Sequence, residues 1–304
     1  MTADNNLVLD LKLDAIVDNQ IKDRSGNNFH GTAQGNPQVV DDSSFGKVLN
    51  FDGEKDYLTL PTMNIDYSQG FTLAAWIWFD RFRRYSAVAE LSSDTKTNII
   101  LSNVDTDKPQ ISLRIKRDES PNSNITVSNA LYTKKWIHIA VTVDTIKKDN
   151  KEYQGQGKFY INGKNIDTNL INLPLSLEYN KNFIGRGNRD PYFDGKIATI
   201  SIYNKVLSLD EIIVQDHNLN DLMSITDNPI FAANLVQKGI GTFYQIVTLS
   251  QESFLADYIS AFGNDQDLAI AAYQRAVQHI TANQKRSPKI NALFQLFKKH
   301  KLRF

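Results

Sequence analysis

Between residues 7 and 203 the apolar residues come in short runs, rich in β-branched and aromatic side chains, with turn residues between them. Candidate strands are LVLDLKL (7–13), KVLNF (47–51), YLTL (57–60), FTLAAWIWF (71–79), YSAVAEL (85–91), TNIILS (97–102), QISLRIK (110–116), WIHIAVTVD (136–144), GKFYI (157–161) and KIATISIY (196–203). These are too many for one open sheet, and few helical stretches interrupt them. Two antiparallel sheets packed face to face are the economical solution.

Individual runs show which face is covered. In WIHIAVTVD a period of two puts Ile137, Ile139, Val141 and Val143 on one side and Trp136, His138, Ala140 and Thr142 on the other. His138 then points away from the main core, onto an outer or second-layer face. FTLAAWIWF is apolar on both faces, as in a central strand covered on each side. Asn162-Gly163 stands between two strand-like runs and tolerates the positive φ angles of a tight hairpin.

Near residue 208 the signals change. Ser208 with Glu211 forms a capping box for a short helix, and beyond about residue 221 the apolar period becomes helical. Thr248 with Gln251 reads as a second box, followed by a stripe of Phe254, Leu255, Tyr258, Ile259 and Phe262, with Gly263 as the stop. A further helix is expected from Asp265 or Asp267 to about Asn283, packing through Leu268, Ala272, Ala276 and Ile280. Ser287-Pro288 opens a last one. That helix carries Ile290, Leu293, Phe294 and Phe297 on one face, ringed by Lys289, Lys298, Lys299, Lys301 and Arg303. Packing of the apolar face against neighbouring helices is favoured over docking to an anionic membrane or a partner's groove. The chain of 304 residues therefore reads as a mainly β sandwich over 1–217 and a small all-α domain over 222–304.

Composition narrows the chemistry. With 34 basic and 34 acidic side chains there is no bulk field for a nucleic-acid partner. The absence of cysteine removes disulfides, thiolate metal sites and cysteine nucleophiles. The N-terminus lacks a signal-peptide pattern, which reads as cytoplasmic; removal of a leader would leave the same trace and an extracellular protein. Glu54 and Asp56 have the spacing of paired carboxylates but follow Asp52-Gly53 at a turn, where solvated charges are expected. No nucleophile elbow, paired-histidine metal motif or phosphate-cradling loop occurs.

A set of segments, taken in order, resembles the laminin-G-like jelly-roll branch of the concanavalin A-like sandwiches. They are Asp23-x-Ser25-Gly26-Asn27-x-x-His30-Gly31-Thr32, LNFDGEKDYLTLP (49–61), FTLAAWIWF, WIHIAVTVD, KFYINGK (158–164), NFIGRG (182–187) and FDGKIATISIYNKVLSLDEI (193–212). The likeness covers about two-thirds of the chain and leaves the C-terminal helices without a relative. It implies a binding domain for glycans, proteins or sulfated polymers, often with calcium at a rim loop, although some relatives are glycoside hydrolases or lyases.

Two sites follow as expectations. Asp23, Asn27 and Asn28, helped by Asp194, offer hard oxygen ligands for calcium, the expected cofactor if there is one. Against this, Ala198 and Thr199 stand where the jelly-roll branch often carries an acid, and the same loop residues favour side-chain-to-backbone turns, the preferred reading. For ligand binding, Arg83, Arg84 and Tyr85, with Arg186, Asn188, Arg189, Asp190 and Tyr192, combine exposed aromatics with arginine forks suited to carboxylated or sulfated ligands. Solvation of loop tips explains these arginines equally simply. The leading expectation is a non-enzymatic protein that recognises a glycan or a protein through rim loops, while the helical domain mediates homo-oligomerisation, larger assembly or attachment. A carbohydrate-active enzyme and a structural subunit stay open as alternatives. Neither a nucleic acid nor a membrane surface is an expected partner.

Overall fold

The computed structural model describes residues 6–42, 45–93, 97–105, 109–117, 123–145, 154–188, 191–214, 217–241 and 243–284. The chain divides into two compact units, residues 1–213 and 214–304.

In the first unit the strands are β1 (Leu7–Lys12), β2 (Gln20–Ile21), β3 (Gly31–Gln34), β4 (Gln38–Asp42), β5 (Gly46–Asp52), β6 (Tyr57–Leu60), β7 (Met63–Ile65), β8 (Phe71–Phe79) and β9 (Ala87–Ser92). They continue with β10 (Asn98–Asn103), β11 (Gln110–Lys116), β12 (Ser123–Ser128), β13 (Trp136–Asp144), β14 (Gln154–Ile161), β15 (Lys164–Asn172), β16 (Leu177–Tyr179), β17 (Lys181–Ile184) and β18 (Asp194–Tyr203). Among the described residues, one eight-stranded sheet runs β15-β14-β13-β8-β18-β5-β4, with β1 beside the C-terminal half of β18. The other runs β12-β11-β10-β9-β17-β6-β3-β2, and β16 pairs with β7 in a small third sheet. The strand ladders are antiparallel.

The two large sheets close on one apolar core. Ile137, Ile139, Val141 and Val143 of β13 meet Leu91, Leu101, Leu113 and Ile125 of the opposite sheet there, all buried. The chain is thus mainly β, two antiparallel sheets forming a sandwich. β8 lies between β13 and β18; its inner face sits in the core and its outer face is covered as well, which explains why both are apolar. Its outer face makes a second layer in which Trp76, Trp136, Val48 and Ala198 are buried. His138 lies in that layer, buried, 5.3 Å from the Trp76 ring. Burial in apolar surroundings pulls its pKa down to about 4, so the imidazole is neutral.

Two of the expected local signals are present, the Asn-Gly turn and the first capping box. Asn162 and Gly163 have φ of 48° and 72° in the β14–β15 hairpin. Ser208 N–H donates to Glu211 Oε2 at 2.8 Å and Glu211 N–H to Ser208 Oγ at 3.2 Å, the reciprocal capping box, at the start of α1 (Leu209–Val214).

The second unit holds α2 (His217–Thr226), α3 (Pro229–Gln237), α4 (Phe243–Val247), α5 (Gln251–Tyr258), a 3-10 turn (Ile259–Phe262) and α6 (Gln266–Gln284). Leu222, Leu235, Ile246, Phe254, Phe262, Ala272 and Ala276 form its interior. The N-cap of α5 is Ser250, whose oxygen accepts from Ser253 N–H at 3.1 Å, and not the expected Thr248. On α6 the buried face passes through Ala269, and Leu268, expected in the core, is 43% exposed. Gly263 does stop the preceding turn, at φ 67°. The expected basic helix over 287–304 lies outside the described residues.

Candidate functional site

At one end of the sandwich the loop after β8 (80–86), the loop after β12 (129–135) and the loop after β17 (185–193) come together. Lys134 N–H donates to Phe79 O, Asp80 N–H to Asp194 O and Gly185 N–H to Val88 O, at 2.7, 3.0 and 2.9 Å. Ala87 N–H reaches Pro191 O at 3.4 Å. This rim gathers most of the residues expected to bind ligand, although not all their side chains reach outward. Arg189 and Asp190 lie outside the described residues.

Arg83 points inward. Its Nε lies 3.2 Å from Asp194 Oδ2 and its Nη1 donates to Gly53 O at 2.7 Å. The same carboxylate oxygen takes Arg81, a residue the sequence reading passed over, at 2.7 Å. Asp194 is thus a buried counter-ion that ties the 80–86 loop to the start of β18. Arg84 and Tyr85 stay outside: the guanidinium sits 4.9 Å from the centre of the tyrosine ring, which is 41% exposed. Tyr85 has φ 60°, a left-handed backbone rarely adopted by an aromatic residue, held by Ser86 N–H donating to Arg83 O and by Asn103 Nδ2 donating to the same oxygen. On the neighbouring loop Tyr132 is 57% exposed with Lys135 5.2 Å over its ring. Neither was anticipated.

Arg186 has the most organised surroundings. Its guanidinium lies 4.7 Å from the centre of Tyr57, 5.0 Å from Tyr192 and 5.3 Å from Phe183. Nε donates to Gly187 O at 2.9 Å, Nη1 to Tyr192 Oη at 3.3 Å and Nη2 to Asn188 O at 3.2 Å. Asn188 contributes backbone rather than the expected side chain: its N–H donates to Glu90 Oε2 at 2.6 Å. Glu90 is buried on β9, opposite Phe183 and Ile100, on the face turned away from the core. It is the one acidic residue in the described strands of that sheet. A glycosidase of retaining type needs a second carboxylate about 5–5.5 Å away, and this sheet does not supply one.

Glu54 and Asp56 do not form a pair either. Asp52 Oδ1 accepts from the N–H groups of Glu54, Lys55 and Asp56 at 2.8, 2.9 and 3.1 Å. Burial pushes its carboxyl up, but those N–H groups and the Lys55 charge more than offset this, leaving it below the usual range. Asp56, expected in solvent, is buried and accepts from Asn36 N–H at 2.8 Å. These acids build a turn.

Of the four residues expected to share a calcium ion, Asp23, Asn27 and Asn28 stand in one loop, and Asp194 is not brought to them. Asp23 accepts from Asp10 N–H (3.0 Å) and Ser25 N–H (2.9 Å) on Oδ1, and from Ser25 Oγ (2.7 Å) and Phe29 N–H (2.9 Å) on Oδ2. Asn27 Nδ2 donates to Leu7 O and Val8 O, both at 2.9 Å, and Asn28 takes φ 62° to turn the chain. Asp10 pairs with Ser201, whereas Asp194 begins the same strand seven residues earlier. At ~3.3 Å per residue the two ends are about 23 Å apart. The donor set does not fit one ion: the Asp23 oxygens are occupied by hydrogen-bond donors, and Asp194 is held by two arginines at the other end. The opening loop is a side-chain-latched corner.

Fold and rim together define a β-sandwich module with an elaborated loop end, the architecture of lectin-like domains. Residues 52–213 match the concanavalin A-like lectin/glucanases superfamily, in its Laminin_G_3 branch, and the chain belongs to it. Among similar solved structures is domain 4 of AbnA, a GH43 extracellular arabinanase from Geobacillus stearothermophilus, in complex with arabinotriose. It is 21% identical, with 68% of this chain and 96% of that one covered at a TM-score of 0.52. The binding domain of Paraclostridial Mosquitocidal Protein 1 is 21% identical, with 71% and 53% covered at 0.52. The botulinum neurotoxin serotype D binding domain is 18% identical, with 70% and 51% covered at 0.51. The chain spans about half the length of these toxin domains, and at such identities the likeness shows the fold. No curated protein matches the sequence. Among the described residues no helix is long and apolar enough to cross a membrane.

Proposed function

We propose that this chain is a non-enzymatic binding module that recognises a glycan at the loop rim, and that its helical unit serves assembly or attachment. One observation carries the reading: three neighbouring loops each present a tyrosine beside a cation, with Tyr85 and Tyr132 exposed at the tips. Flat, rigid rings with an apolar face and a polar edge stack on sugar rings at little cost in conformational entropy, and the flanking cations and backbone carbonyls offer polar contacts around them. The lone acid of the Glu90 sheet favours binding over hydrolysis. That domain 4 of AbnA was solved with arabinotriose supports a saccharide ligand for a module of this shape.

A glycan array probed with the full chain, followed by calorimetry on the strongest hit, tests this. Tyr85→Ala and Tyr132→Ala are each expected to weaken binding about tenfold, ~1.4 kcal/mol, with the melting temperature unchanged. A blank array, or release of shortened products from the bound polysaccharide, would overturn the reading.

A further inference from the structure

The geometry points to an acidic saccharide, carrying carboxylate or sulfate groups, as the ligand of this rim, with Arg186 as the residue that reads the acid; the inference rests on the glycan reading above. A guanidinium has five N–H donors. Arg186 commits three of them, one each from Nε, Nη1 and Nη2, to neutral oxygens of Gly187, Tyr192 and Asn188. One donor is left on each terminal nitrogen among the described residues, the number an end-on carboxylate or sulfate takes as a parallel pair.

The charge is equally uncommitted. Arg24 is paired with Asp10, Arg81 and Arg83 with Asp194, and Arg275 with Asp227. Arg186 is half-buried and has no carboxylate partner among the described residues. Its neighbours are ring faces, which hold a cation in place without neutralising it. Holding a half-buried cation unneutralised costs stability, and here the surroundings immobilise the group as well. Side-chain ordering, a large part of the cost of using a long flexible residue in binding, is thereby met before the ligand arrives. Tyr192 and Tyr57, which clamp the guanidinium, lie within 5.9 Å of each other, so a sugar acid docked on Arg186 has aromatic edges beside its ring. A lysine in this place would keep the charge and lose both the fork and the stacking.

The test pairs each acidic glycan with its neutralised form: uronate chains with carboxyl-reduced counterparts, and sulfated chains with desulfated ones. These are titrated into the full wild-type chain, Arg186→Lys and Arg186→Ala, with melting curves recorded for each variant. Wild type is expected to bind the acidic member at least tenfold more tightly, and the acidic-to-neutral affinity ratio to fall toward one in Arg186→Lys and Arg186→Ala, the melting curves showing that each variant is folded at the temperature of the titration. Equal binding of both members by wild type, or an acid preference that survives in Arg186→Lys and Arg186→Ala, overturns this inference and leaves the glycan reading standing. Absence of binding to every member of both series overturns both.

Discussion

The backbone N–H of Asn188 donates to the carboxylate of Glu90 at 2.6 Å, joining a loop residue to a buried acid 98 positions earlier in the chain. A hydrogen bond contributes about 0.5–1.5 kcal/mol net, and a buried donor left without its acceptor costs about 1–3 kcal/mol. Glu90→Gln keeps the shape but replaces one of the two carboxyl oxygens with an NH2 group, so it should lower stability by about 1–2 kcal/mol and speed amide exchange at residues 186–188. Hydrogen exchange read by mass spectrometry checks this, and unchanged protection of that peptide would show that the latch does not hold the loop.

Gly185 sets the direction in which the same loop leaves β17. Its φ is 84°, and a Cβ there would lie 2.6 Å from the Phe51 ring. Gly185→Ala therefore combines left-handed strain with a clash against a buried phenylalanine, and the expected loss is about 2–4 kcal/mol. For a unit of this size that is roughly a 4–16 °C fall in melting temperature. Binding to the rim should weaken with it, because Arg186 is the next residue; a melting temperature within about 2 °C of wild type, roughly half the smallest shift expected, would show that the site tolerates a side chain.

His138 makes stability depend on pH. Its folded pKa of about 4 lies below the unfolded value near 6.5, so between these limits the unfolded chain binds the proton first. Stability is full above pH 6.5 and falls as the pH drops toward 4, by up to about 3 kcal/mol. His138→Leu should flatten this part of the profile. Urea midpoints at several pH values, taken as the difference between wild type and variant so that acids common to both cancel, give the readout. Parallel profiles would remove His138 as the cause.

The Asp23 latch predicts a structural role. Asp23→Asn turns one of two saturated acceptor oxygens into a donor facing N–H or O–H groups, which should cost about 2–3 kcal/mol. Added calcium should change the melting temperature of neither protein. A calcium-dependent rise in wild type, absent in the variant, would restore the ion to this loop.

What the sequence made legible follows the range of the interaction. Strands 71–79, 110–116 and 136–144 were placed to the residue because their alternation or continuous apolarity is written in the run itself. β12 was missed and β15 was signalled only by its hairpin turn: Asn124, Thr126, Asn165 and Thr168 have low apolar content, and these strands exist because the neighbouring ladders extend to them. The rim was half visible. Arg186 and Tyr192 stand close together in sequence, but Tyr57, Glu90 and Tyr132 arrive from strands and loops far away, and only sheet order reveals that they share an end. Pairing Asp23 with Asp194 failed for the same reason, since motif order along a chain does not encode which end of a strand each motif occupies.

The chain's three tryptophans, Trp76, Trp78 and Trp136, all stand on the outer face of β8 and β13 within the first unit, two of them 5.8 Å apart. Intrinsic indole emission is therefore a private signal of the sandwich, silent about the helices, while far-ultraviolet dichroism near the helical bands weights the second unit. Superposing the two melts tells whether the halves of this polypeptide come apart as one cooperative body or in succession, with no label or truncation required.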